Sequence, residues 1–283
     1  MAVEYLVDGL SVRLRAPHDL SWLGRFGQVF CVFDQLISGN LCFGVQEGHQ
    51  RYFIKYAGAP TLGHPGDPAL AVKRLQAADE RYERLSHPAF TRRLESFETR
   101  GGFGLVFAWF EGFALAPLES QMISLRALPY AQRFALFDSL ADFITLASRQ
   151  DYVTAGIADR NILVDFKGPA AIFCSADHFI PMPAVNTRGR LSGSPWFLAP
   201  ETYVRGARLE ESANVWQMGM LAHTFFGNRI SPNQTQWEAT TELYAVAQKA
   251  LQEDPARRYP LAEQFLSAWR QGVMAVPGHW FMR

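Results

Sequence analysis

Lys55 is the residue whose type and setting ask most directly for a chemical partner. It lies in an apolar, aromatic run, Tyr52-Phe53-Ile54-Lys55-Tyr56. Lys55, Lys73, Lys167 and Lys249 are the only lysines among 27 basic residues, and the other 23 are arginine. A compact ammonium acts as a point charge between phosphate oxygens, a task to which the planar guanidinium is less suited. A charge on a strand of this character also needs a partner, because burying it alone is costly. The run therefore reads as a phosphate-contacting strand, with an ordinary edge-strand lysine as the alternative. The three cysteines, Cys31, Cys42 and Cys174, show no metal or redox spacing. Their odd number argues against a disulfide framework and for a reducing cytoplasm.

The elements that must position Lys55 change character near Gly112. Before it come short β-rich runs, Phe26 to Phe33, Leu41 to Val45, Tyr52 to Tyr56 and Phe103 to Phe110, broken by turns such as Ser38-Gly39-Asn40 and Glu47-Gly48. One helix interrupts them. Pro68 opens it, Ala69, Val72, Leu75, Ala78, Tyr82 and Leu85 fall on one face, and His87-Pro88 stops it. After Gly112 the pattern is mainly helical. Phe134, Leu136, Leu140, Phe143 and Ile144 recur at helical spacing, as do Val215, Met218, Leu221, Ala222 and Phe225, and both sets read as buried faces.

Composition bounds the function. At 283 residues and 48% hydrophobic, the chain can bury a full core in one large domain or two lobes. Basic and acidic residues both number 27, so bulk charge points to neither nucleic acid nor a membrane surface. No apolar stretch approaches the ~18 residues of a membrane span, and MAVEYLVDGL does not read as a signal peptide.

Several local motifs, in order, resemble those of the protein-kinase superfamily over residues 20–270. Gly193 to Glu201, GSPWFLAPE, is similar to the end of an activation segment with its Ala-Pro-Glu motif. Asn214 to Gly219, NVWQMG, resembles D-x-W-S-x-G with Asn for Asp, and Asp254 to Arg258, DPARR, resembles D-P-x-x-R. Ala155 to Phe166, AGIADRNILVDF, is similar to the catalytic loop D-x-x-x-x-N-I-L, and Phe173 to Phe179, FCSADHF, to the turn that carries the metal-binding aspartate. Within the superfamily the chain is most similar to a group of bacterial serine/threonine-kinase-like proteins. That likeness rests on Phe30 to Asp34 with Ser38-Gly39-Asn40, on Lys55 to Ala59, on Asn186 to Gly193 and on Trp237-Glu238-Ala239.

The resemblance implies an α+β, two-lobed protein-kinase-like fold over residues 1–283. A β-rich N-lobe would take about 1–112 and a mainly helical C-lobe about 113–283. It implies an adenine-nucleotide site for ATP or ADP. Gly24, Gly27 and Val29 would belong to a shortened glycine-rich loop, Lys55 would meet the phosphates, and Phe107 would be the gatekeeper. Ala108, Trp109 and Phe110 would form the hinge, and Asn161 and Leu163 would complete the site. Asp79, Glu80 and Glu83 are candidates to pair with Lys55 from the helix, Glu80 by a small margin. Glu201 and Arg258 would form a buried structural ion pair.

Two acids are missing from this frame. Gly156 stands at the catalytic aspartate and can neither orient a hydroxyl nor accept its proton. Ser175 stands at the metal-binding aspartate, and a hydroxyl is a weak, neutral ligand for magnesium. Asn161 at the second metal place is kept. Asp177 and Asp159 are the acids that could substitute, with a solvated loop acid as the plain alternative for Asp159 and a structural hydrogen-bond role for Asp177. The leading expectation is a degenerate kinase that binds nucleotide, with magnesium open, and serves a protein partner as regulator or scaffold. The alternative is an active Ser/Thr-type protein kinase using rearranged acids such as Asp177.

Overall fold

A computed structural model describes residues 2–116, 119–276 and 278. The chain is mixed α and β and divides into two compact units. The first holds Met1–Ser86 and Thr91–Phe110, the second His87–Phe90 and Glu111–Arg283. No helix among the described residues is long and apolar enough to cross a membrane.

The first unit opens with a hairpin, β1 (Val3–Val7) and β2 (Leu10–Leu14). A short 3-10 helix, Ser21–Arg25, leads into β3 (Gln28–Phe33), β4 (Asn40–Glu47) and β5 (Gln50–Ala57). Helix α1 (Pro68–Arg84) follows, then β6 (Arg93–Thr99) and β7 (Gly102–Ala108). The antiparallel five-stranded sheet has the order β3-β4-β5-β7-β6, so β5 runs down its middle. Val29, Leu41, Phe43, Val45, Ile54, Tyr56 and Phe97 bury one core with Val12, Leu14, Leu23 and Phe26. Helix α1 starts where expected. Pro68 sits at its first turn, and the Asp67 carboxylate accepts the Ala69 N–H at 2.9 Å, satisfying a donor the helix leaves open. Its buried face is Ala71, Leu75, Ala78 and Tyr82. Ala69, expected on that face, is exposed, and Ala71 takes its place two residues on.

In the second unit, β10 (Ile162–Asp165) and β11 (Ala170–Phe173) form a hairpin that adds β8 (Phe113–Ala114) at its edge. Helices α2 (Glu119–Ala127) and α3 (Tyr130–Arg149) precede it, as does β9 (Tyr152–Val153). After it come β12 (Ile180–Pro181), paired with β9, and β13 (Ala184–Val185), paired with β14 (Arg208–Leu209). Helices α4 (Glu211–Phe226), α5 (Thr241–Ala250) and α6 (Ala262–Met274) complete it. Thirteen of the residues of α4 are buried, which makes it a core helix with no solvent face to speak of. Trp269 of α6 lies against Phe137 of α3 and Phe226 of α4, at ring separations of 4.3 and 5.6 Å. Both periodic sets read from the sequence in α3 and α4 are buried.

Candidate functional site

Lys55 stands on the central strand, opposite Cys42 of β4 and Leu105 of β7, which excludes the edge-strand reading. It is only 6% exposed. Its ammonium donates to the Tyr82 hydroxyl at 2.9 Å and lies 5.2 Å from the Tyr82 ring centre and 5.8 Å from that of Phe107. A hydroxyl acceptor and two negative ring faces thus help offset the cost of burial. The expectation of Glu80 as partner fails on geometry. Glu80 faces solvent and lies 3.7 Å from Arg84 on its own helix. Asp79 forms a two-pronged pair with Arg93 of β6, and Glu83 is exposed. Tyr82 lies on the buried stripe of α1, whereas Glu80, two residues earlier, points some 200° away around the helix.

The residues expected to form a glycine-rich loop do not share one turn. Gly24 belongs to the 3-10 helix, and Val29 is buried in the core opposite Val45. Gly27 has φ +107°, and a Cβ there would come within 2.4 Å of the Gln46 carbonyl oxygen, so this glycine lets two backbones approach. The turn between the paired strands β3 and β4 is instead 34–39, with one glycine, Gly39. It is tied down, because a His64 ring nitrogen lies 3.1 Å from the Ile37 carbonyl oxygen and the same ring crowds Gly39. The expected hinge is also partly engaged: Ala108 N–H donates to Arg92 O at 2.9 Å and Trp109 N–H to Arg51 O at 3.1 Å. Those two amides are spent within the unit and do not offer themselves to adenine. Phe107 is buried at the end of β7.

In the second unit the loop around Gly156 is built from behind by Asn214. Its Oδ1 accepts from Thr154 N–H at 2.7 Å and lies 2.9 Å from the Thr154 hydroxyl. Its Nδ2 donates to Tyr152 O at 2.7 Å and to Ser148 Oγ at 2.8 Å. An amide can both donate and accept, which a carboxylate here could not, so Asn214 is a fully bonded anchor. The chain then turns at Gly156 with φ +84°. A Cβ at Gly156 would meet His178 Cβ at 2.6 Å, so the backbone conformation and the neighbour both refuse a side chain.

The remaining acids have structural surroundings. Asp159 opens the one-turn helix Asp159–Asn161 and is buried, with Arg229 Nε 3.0 Å from its carboxylate. It is therefore not a solvated loop acid. Asn161 is half-buried and its carbonyl accepts the Cys174 N–H at 2.9 Å, which ties the loop to the end of β11. Leu163 is half-exposed, on the face of β10 opposite the buried Ile162 and Val164. Ser175 Oγ takes a long contact, 3.4 Å, from the Asp177 N–H, and Asp177 is half-exposed. Asn161, Ser175 and Asp177 together offer one negative charge, and no group of three or more His, Cys, Asp or Glu side chains that could hold a metal occurs among the described residues. Magnesium here would rest on the single Asp177 carboxylate and on a ligand's own phosphates.

Glu201 and Arg258 do pair. The guanidinium meets both carboxylate oxygens, at 2.8 and 2.9 Å, and the pair is buried. Arg258 also donates to the carbonyls of Ser212, Gln252 and Glu253, so each remaining N–H is used. Of the residues that shape the site, the sequence places Tyr82 on the buried face of α1 and His178 as a packing residue without showing what either touches, and it gives no sign of Arg229. The apolar periodicity of α1, with Tyr82 on it, carried a signal for the first; the other two are contacts across long stretches of chain. No family model matches the sequence, and no curated protein matches it.

Proposed function

We propose that the chain is a protein-kinase-like module without phosphotransfer activity that binds adenine nucleotide, ATP or ADP, through Lys55 and works as a regulator or scaffold for a protein partner. The observation that carries this reading is Gly156. Its left-handed backbone and its contact with His178 leave no room for the carboxylate that a hydroxyl nucleophile would need. Asp159, one of two possible replacements, is already committed to Arg229. The kinase-like part of the reading is supported by a lysine on the third strand of a five-stranded sheet, by a helix directly after that strand, and by the Glu201–Arg258 pair. Lys55 supplies the cation for a phosphate, which would displace the Tyr82 hydroxyl, one of the lysine's contacts. Three free cysteines suit a reducing cytoplasm.

The test is thermal denaturation with ATP or ADP, with and without magnesium, followed by a sensitive phosphotransfer assay. Millimolar nucleotide should raise Tm without requiring magnesium, and Lys55→Met should abolish the rise. No shift with either nucleotide would remove the binding claim. Transfer to itself or a generic substrate at ordinary kinase rates would remove the non-catalytic claim and make Asp177 the acid to mutate.

A further inference from the structure

The segment from β13 to β14 carries a surface that the nucleotide reading does not use. Across residues 184–208 the one acid is Glu201, which is buried against Arg258. The arginines Arg188, Arg190, Arg205 and Arg208 are all exposed. The guanidinium groups of Arg188 and Arg205 make no ion pair among the described residues, while Arg208 pairs with Glu210 at 2.8 Å. Between them stand Val204 (57% exposed), Val185 (56%), Tyr203 (41%) and Trp196 (38%). The chain as a whole is neutral, with 27 basic and 27 acidic residues, so this is a local excess of charge.

The surface is built and held. Asn186, 1% exposed, accepts from the backbone N–H groups of Arg188 and Gly189, both at 3.1 Å. Its amide donates to Thr202 O at 3.0 Å, and its backbone N–H donates to Ala207 O at 2.8 Å. Leu191 N–H reaches Thr202 O at 3.0 Å, and Val185 lies opposite Arg208 in the strand pair, where cross-strand neighbours share a face. Arg190 sits 5.9 Å over the Tyr203 ring. These links, with the Tyr203 hydroxyl donating to Pro195 O at 3.4 Å beside Trp196, bring the segments that carry the four arginines and the exposed apolar side chains together over a core of Leu191, Leu198, Ala199 and Leu209.

We propose that this patch docks an acidic segment of a partner protein, with carboxylates for the arginines and apolar side chains for Val185, Trp196, Tyr203 and Val204. Guanidinium groups match carboxylates two-pronged, and exposed aromatic and branched side chains among arginines are the composition of a protein-binding surface. The two valines have nothing to gain from a phosphate backbone, and a neutral chain generates no long-range field for a polyanion. The proposal stands whether or not Lys55 binds nucleotide.

The experiment is fluorescence anisotropy on the full chain with a labelled twelve-residue peptide alternating Glu or Asp with Leu and Trp. A second peptide carries Lys in place of the acids, and the other probes are a single-stranded oligonucleotide and phosphatidylserine vesicles. Wild type should bind the acidic peptide, more weakly as salt rises, and ignore the basic one. Arg188→Glu with Arg205→Glu should weaken acidic-peptide binding at least about tenfold and create binding of the basic peptide. Trp196→Ser should weaken it without changing its salt dependence. Neither exchanged arginine is ion-paired, so the double variant should melt with wild type; if it melts early, Arg188→Gln with Arg205→Gln takes its place and must still weaken binding. The proposal is overturned if wild type does not bind the acidic peptide at millimolar concentration, if the charge variants bind it as wild type does, or if oligonucleotide or vesicles bind more tightly with the same arginine dependence.

Discussion

Lys55 and Gly156 are two places where phosphate chemistry would need a polar group, and their neighbours have answered in different ways. At Lys55 the group is present, and the contacts that hold it include a hydroxyl and two ring faces. A phosphate that displaced the Tyr82 hydroxyl would leave the strand untouched. At Gly156 the group is absent and its space is closed by backbone: φ is +84° and a side chain would run into His178 Cβ. A side-chain hydrogen bond exchanges partners by a rotation, whereas a left-handed turn against a neighbouring Cβ yields only if the backbone moves. On the proposed reading, nucleotide binding would stay available at one side chain, while transfer would be opposed by main-chain geometry.

The fixed end of this contrast is Glu201–Arg258. Replacing Arg258 with Met should cost about 3–5 kcal/mol, since it strands a buried carboxylate and frees three carbonyls. Urea unfolding would measure it, and a loss under about 1 kcal/mol would mean the pair is solvated and is no benchmark for the second unit.

A pH series probes, in each unit, a histidine whose pKa burial lowers. His223 of α4 is fully buried, and burial pushes it down to about 4. Gln248 Nε2 faces the ring Nε2 at 3.0 Å, so the neutral ring accepts there and a protonated ring would set N–H against N–H. The folded value lies below the unfolded one, so the unfolded chain takes up the proton first as pH falls. Stability should decline from about pH 6.5 to about 4, by on the order of 3 kcal/mol. His18 in the first unit is lowered by burial too, with Asp19 opposing, so it adds to the decline in the same direction. His223→Gln should flatten the profile in unfolding experiments; an unchanged slope would assign it to other groups.

At Gly156 the contrast can be broken directly. If only the identity of the two residues mattered, aspartates at 156 and 175 would supply the two acids that transfer needs. The geometry argues otherwise. Gly156→Asp should destabilise the chain by about 2–3 kcal/mol, from the left-handed backbone plus the His178 contact, and should leave transfer unchanged. Adding His178→Gly should recover part of that loss, and addition of Ser175→Asp should still give no activity. A stable, active Gly156→Asp protein would show that the turn is adaptable and that the two sites are alike after all.

What could be seen in the sequence follows from the range of the contacts. Strand runs, the opening of α1 at Pro68 and the buried faces of α3 and α4 depend on neighbours a few residues apart, and all are there. Glu201–Arg258 spans 57 residues but is carried by two local motifs, so it too was legible. Arg229 against Asp159 joins segments that no motif links, and His178 against Gly156 joins two motif segments at positions that neither motif specifies. The misplaced loop has a different cause. Gly24 and Gly27 mimic a phosphate loop beside Leu23 and Phe26, yet those two side chains go into the core and pull the segment into a helical turn before β3. Glycine spacing was read where apolar anchoring decided.

The mildest expected effect sits at Tyr82. Tyr82→Phe keeps the ring face over the ammonium and removes one hydroxyl acceptor from a buried cation, which should cost about 1–2 kcal/mol. The same change should improve nucleotide binding, because a phosphate oxygen then replaces a lost partner and no longer competes with an existing one. The nucleotide-induced rise in Tm should therefore be larger in Tyr82→Phe than in wild type, while the unliganded Tm is lower. Lys55→Met should show neither rise. If Tyr82→Phe lowers the unliganded Tm and also abolishes the nucleotide shift, Tyr82 positions the lysine and does not compete for it, and the hydroxyl contact at Lys55 would be as fixed a feature as the turn at Gly156.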